Sequence, residues 1–181
     1  LDNETKDGKK VLLWGSSNDF PVICENSIIG NSVLEQSLSM RVDVLVGQGV
    51  VPVRVVGFNP DGSEAIELID DAELIALLNK PWVARYLAEA ARDLTKFGNA
   101  FVQFRPDLGG QKFLKLSVTN AMHVRLEYPD TDGISRNVLL NGLWPEGNTV
   151  NSYPLLSEHD AEEEIAMLAD FSKPVFFQIK N

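Results

Sequence analysis

Apolar residues recur at intervals of three and four along one stretch of the chain. Trp82, Tyr86, Ala90, Leu94 and Phe97 form a single stripe when wound at 3.6 residues per turn. This predicts a helix with Pro81 at its first position, where a missing N–H is no loss. Gly98 predicts its end, because glycine takes the left-handed C′ conformation without a Cβ penalty. The period then drops to two. Ala100, Val102 and Phe104 share one side of a strand, and Gln103 and Arg105 mark its wetter positions.

The same reading extends along the rest of the chain. Residues 1–10 are polar and expected to fray, and 11–14 form an apolar run too short to type. A turn or cap cluster at 16–19 leads into a short helical piece over 22–29. Ser32 and Glu35 form a capping box before a helix with Leu34, Leu38, Val42 and Leu45 on one face, ended by Gly47 and Gly49. Residues 50–58 read as a strand, 59–62 as a turn and 64–68 as its hairpin partner. Asp70 and Glu73 repeat the capping logic for a helix over 72–78.

After the central helix and strand, 106–110 form a turn and Phe113, Leu114 and Leu116 return. Val124, Leu126 and Tyr128 alternate with Arg125 and Glu127, which predicts a half-exposed strand. The turn at 130–133 leads into 134–140, and 141–154 reads as a long loop holding Trp144. Ser157 caps an acidic helix to about residue 169, and 175–179 is a last strand. Helices interleaved with antiparallel hairpins give an α+β fold, antiparallel strands packed against several helices. The expected organisation is a flexible segment over 1–10 and a single domain over 11–181.

Composition narrows the function classes. The net charge is −10 and the isoelectric point about 4.6, which opposes binding to DNA or anionic membrane. No apolar run reaches the roughly 20 residues of a membrane span. One cysteine, Cys24, excludes an internal disulfide and suits a reducing compartment. The first residue is Leu, so the chain reads as part of a longer or processed protein.

Candidate chemistry is sparse. His123 and His159 have no ligand partners at metal-site spacing and read as structural or exposed. Cys24 lacks a basic neighbour in sequence and reads as a small hydrophobe. Asp130, Asp132 and Gly133 resemble part of a calcium loop, but the remaining ligands are missing and a hairpin turn is the better reading. No phosphate loop, dinucleotide fingerprint or nucleophile elbow occurs. The expectation is a non-enzyme with no catalytic, cofactor or metal residues. The competing expectation is a small-ligand or enzyme site assembled from scattered polar residues such as Asp43, Asp93, Arg125 and Glu127.

Four features, in order, resemble portal proteins of tailed bacteriophages, in particular a prophage-type group. Trp14-Gly15, Asn18-Asp19 and Pro21 are similar to that family's W-G-x-x-N-x-x-P stretch. Gly47-Gln48-Gly49 resembles its G-x-G step into a strand, and Leu94 with Gly98-Asn99-Ala100-Phe101 its helix-to-strand junction. Val124-Arg125 followed by a hairpin and Trp144 resembles its next block. The likeness spans about residues 11 to 180. The long channel-lining helices of portal subunits have no counterpart here, so the resemblance is to the amino-terminal, wing-like portion.

The resemblance implies a structural subunit of a ring at a capsid vertex, located in the virion and, during assembly, in the bacterial cytoplasm. It implies self-association and contacts with terminase, capsid and head–tail connector proteins. DNA would pass through the ring during packaging and ejection without specific binding.

Overall fold

The computed structural model describes residues 3–47, 49–106, 113–156 and 174–180. The chain is α+β, with an eight-stranded mixed sheet, a separate two-stranded ribbon and four α-helices among the described residues. In chain order the first elements are β1 (Asn3–Lys6), β2 (Lys9–Leu12), α1 (Phe20–Ile29) and α2 (Ser32–Val46). The ribbon strands β3 (Val53–Phe58) and β4 (Glu64–Leu68) follow, then α3 (Ala72–Leu78) and α4 (Pro81–Phe97). The remaining strands are β5 (Asn99–Pro106), β6 (Phe113–Thr119), β7 (Val124–Glu127), β8 (Asn137–Leu140), β9 (Asn151–Leu156) and β10 (Val175–Lys180). A 3-10 turn at Ala121–His123 precedes β7.

The large sheet runs β1-β2-β7-β8-β9-β10-β5-β6. All its pairs are antiparallel except β9 with β10. That parallel pair departs from the all-antiparallel expectation. The last strand in sequence inserts between β9 and β5 instead of adding to an edge. Register places Phe101, Val124, Val138, Leu155 and Phe176 on one face, where they meet Phe97 of α4 in the main core. Fully burying an aliphatic or aromatic side chain of this kind stabilises by about 1.5–3 kcal/mol.

The opposite face at β2–β7–β8 carries Val11, Arg125 and Leu139. Residues 141–150 fold over it and bring Trp144 and Val150 into a second, smaller core. This overturns the half-exposed reading of β7: Arg125 is 1% exposed. The alternation is real, yet both faces are covered. Gln103 is buried as well, because Phe176 and Ser117 flank it on the adjacent strands. Arg105's side chain lies outside the described residues.

Local signals hold in some places and shift in others. Gly98 has φ of 71° and its N–H bonds to Leu94, the left-handed cap that the sequence demands. Val83, Ala90 and Phe97 are the buried residues of α4, which packs against both α2 and the sheet; Trp82, Tyr86 and Leu94 are only half-buried. Val102 is buried on the face away from Phe101.

The cap of α2 is Asn31, which accepts from Val33 and Leu34 N–H, and Glu35 pairs with Arg92 instead of closing a box with Ser32. For α3 the cap is Asp71, not Asp70. The polar opening is paired rather than frayed, since Asn3–Lys6 forms a hairpin with Lys9–Leu12. The expected loop over 141–154 ends in β9. The expected acidic helix from Ser157 lies outside the described residues.

Candidate functional site

Arg125 is the centre of a dense polar arrangement among the described residues. Its Nε donates to Asn18 Oδ1 at 2.5 Å and its Nη2 to the Asn18 carbonyl at 2.9 Å. Its Nη1 donates to the carbonyls of Val124, Met122 and Ala121 at 2.7, 3.2 and 3.4 Å. The guanidinium carbon lies 5.5 Å from the ring centre of Trp14 and 5.2 Å from that of Trp144. A planar cation between two indole faces is the arrangement arginine suits and lysine does not.

Each partner is placed by a local device. Asn18 sits at φ 57°, a left-handed conformation that Asn tolerates better than most residues. Its Oδ1 also takes the Trp14 N–H at 3.3 Å, which closes the turn after β2. Asn18 Nδ2 donates to Glu4 Oε1 at 3.3 Å, so a carboxylate stands one amide removed from the guanidinium. Trp144 Nε1 donates to the His123 carbonyl at 3.1 Å. Lys6 donates to the Pro145 carbonyl and lies 6.0 Å from the Trp144 ring centre.

Burial pulls Arg125 down to about 10, with Glu4 pulling the other way. It therefore stays charged at neutral pH. Removing a guanidinium from water is expensive, and carbonyl acceptors with two ring faces replace that hydration. With its donors turned to backbone carbonyls and Asn18, Arg125 serves as a tie between β7, the turn after β2 and the loop over the sheet. It is not arranged as a reactive group.

Of the other polar residues singled out in the sequence, Asp93 is linked to Arg125 through the backbone of Ala121, and none bonds to it directly. Asp43 is exposed on α2. Asp93 on α4 accepts the Ala121 N–H at 3.2 Å, and burial raises its carboxyl to about 6, opposed by that hydrogen bond and by Lys96. Glu127 accepts from Asn137 Nδ2 at 2.6 Å.

His123 is exposed and contributes its backbone carbonyl, whereas His159 lies outside the described residues. Burial raises the Cys24 thiol, and the residue packs against the main core, which fits the small-hydrophobe reading. Asp130 accepts from Asp132 and Ile134 N–H and from Arg136, which closes a hairpin turn. No group of three or more His, Cys, Asp or Glu among the described residues is placed to hold a metal ion.

One cleft of about 220 Å³ borders the arrangement, lined by Leu12, Trp14, Asn99, Phe101, Arg125 and Gln178 among others. On its rim Gln178 Nε2 donates to Asn99 Oδ1 at 2.7 Å. The signal of this site in the sequence is faint: two tryptophans and an asparagine close to short apolar runs, with an arginine between Val124 and Leu126. No protein-family model matches the chain, and no curated protein matches it in sequence.

Proposed function

We propose that this chain is the wing-like part of a phage-type portal subunit, a structural protein that assembles with copies of itself at a capsid vertex. One observation supports this above the rest. The short stretches on which the resemblance rests lie far apart in sequence, yet most of them meet. Trp14 and Asn18 contact Arg125, Arg125 contacts Trp144, and Trp14 stacks edge-on against Phe101 at 6.2 Å. A chance likeness has no reason to pick residues that pack together. Only Gly47 and Gly49 stand outside this set, between α2 and the ribbon.

In this reading the tied arginine holds the subunit rigid, and the surfaces do the work. Terminase, capsid and head–tail connector proteins are its partners, in the virion and in the bacterial cytoplasm during assembly. The net charge of −10 lets DNA pass without being gripped. Electron microscopy of the longest reading frame containing this chain tests the idea, together with its neighbouring genes. Rings with a central channel, encoded beside terminase and capsid genes, are the expected result. Compact monomers encoded among metabolic genes would overturn it.

The competing small-ligand reading has one specific feature in its favour, the cleft bordered by Trp14, Phe101 and the Asn99–Gln178 pair. A thermal-shift screen with nucleotides and divalent metals, and a DNA titration at two salt concentrations, separate the two. Portal function predicts no shift and little DNA affinity at physiological salt. A reproducible shift with one ligand class favours the binder.

A further inference from the structure

Two apolar surfaces of this chain face solvent on different elements. The first is one face of the β3–β4 ribbon. Register pairs Val53 with Leu68 and Val55 with Ile66, and a bulge between Val55 and Gly57 then brings Phe58 opposite Glu64. The bulge thus returns Phe58 to the side of Val53 and Val55. The five apolar residues of this face are 40 to 74% exposed. Glu64 is its only charge. At its base Leu68 borders a groove of about 360 Å³ shared with Val51 and Ile75.

The second surface is the outer side of α2. Leu38 and Val42 are this helix's buried residues. At 100° per residue, Met40, Val33, Val44, Leu34 and Leu45 fall on one continuous arc beside that seam. Val44 is 79% exposed and Val33 70%. Arg41 lies within the arc and no acid does, while Asp43 points elsewhere around the helix.

We infer that copies of this chain associate head to tail, the β3–β4 ribbon of one lying across α2 of the next, with Glu64 facing Arg41. The inference rests on the self-association in the proposed function and supplies it with a surface. A two-stranded ribbon is marginal alone and needs a helix or further strands on its apolar face; among the described residues the ribbon strands pack extensively only on each other, and α3 borders only the Leu68 end. The two faces are complementary in shape class, strand ribbon against helix, and each carries a single charge of opposite sign. A two-fold dimer that pairs either surface with itself would leave the other uncovered, whereas ribbon on helix covers both; made reciprocally about a dyad it would stop at a dimer, which species larger than dimers exclude. A head-to-tail contact closes into a ring or continues as a filament.

Complementation tests this in the whole chain. Phe58→Glu disables the ribbon and Val44→Glu disables the helix arc; both positions are exposed, and circular dichroism checks that each variant folds. Sedimentation velocity from micromolar to near-millimolar concentration should show wild-type species larger than dimers and each variant as a monomer. An equal mixture of the two variants should give a one-to-one dimer, because one intact ribbon and one intact arc remain. Arg41→Glu should weaken association at least tenfold, and Glu64→Lys in the partner should restore it.

Association that survives both single substitutions, or a mixture that stays monomeric beside an associating wild type, would overturn this interface while leaving self-association by another surface. A wild type monomeric throughout would overturn the interface, and the electron microscopy of the longer frame would then decide the portal reading separately. A filament through these two faces would uphold the contact and count against a closed ring.

Discussion

Asp93 and Arg125 do not bond to each other, yet one residue holds both. The Ala121 N–H donates to Asp93 Oδ2 at 3.2 Å, and the Ala121 carbonyl accepts from Arg125 Nη1 at 3.4 Å. Helix α4 and strand β7 are thereby tied through a single 3-10 turn, with an acid on one side and a base on the other.

The guanidinium tie should be costly to alter. Arg125→Lys keeps the charge but loses the planar fork and the stacking between Trp14 and Trp144, so about 2–4 kcal/mol of stability should go. Asn18→Ala strands the same donors, and the two substitutions should be non-additive by at least about 1 kcal/mol. Urea denaturation of the two single variants and the double variant measures this. Additive effects would mean that Asn18 and Arg125 act independently.

Asp93 gives a pH dependence of defined sign. Its folded-state carboxyl titrates at about 6, against an ordinary value of 3.8, chiefly because of burial. The folded protein therefore holds this proton more tightly than the unfolded chain. The associated stability is fully present below pH 3.8 and is lost as pH rises through about 6. The loss is at most about 3 kcal/mol, at 1.36 kcal/mol per pH unit of displacement. Denaturation midpoints compared with Asp93→Asn should show the wild type losing ground between pH 4 and 6.5, roughly the window set by those two values. Parallel curves for the two proteins would refute the assignment.

At Gly98 the strain of substitution can be isolated from crowding. The residue sits at φ 71°, and an added Cβ would meet nothing within 4 Å. Gly98→Val should cost about 1–2 kcal/mol from backbone conformation alone, and Gly98→Asn clearly less. Equal losses for the two would point to a packing cause instead.

Along α4 the cost of truncation should follow burial rather than membership of the apolar stripe. Phe97 is 5% exposed and sits in the main core, whereas Leu94 is half-buried. Phe97→Ala should cost about 3–5 kcal/mol and Leu94→Ala at most about 2. Thermal unfolding of the two variants checks the order, and its reversal would place Leu94 at the centre of the packing.

Much of the local structure was legible because it is decided within a few residues. The stripe of α4, the left-handed stop at Gly98, the β3–β4 turn and the hairpin at Asp130 all rest on neighbouring side chains and backbone preferences. So does the α+β class, which follows from the succession of helical and alternating segments. The exact caps were displaced by one residue in α2 and α3, because Asn31 and Asp71 compete with Ser32 and Asp70 for the same N–H groups.

Tertiary structure decided the rest. Alternation along β7 correctly separates Val124 from Arg125, but it cannot say that residues 141–150 return to cover the second face and bury the arginine between two indoles. The same limit applies to α2, where Val33, Leu34, Met40, Val44 and Leu45 are exposed; periodicity finds the helix and not which part of the arc stays in solvent. The place of β10 between β9 and β5 is likewise a matter of pairing between distant segments, where nothing in a strand's own sequence names its neighbours. Local preferences fix each segment's conformation, and only the meeting of distant segments fixes which of its faces is inside.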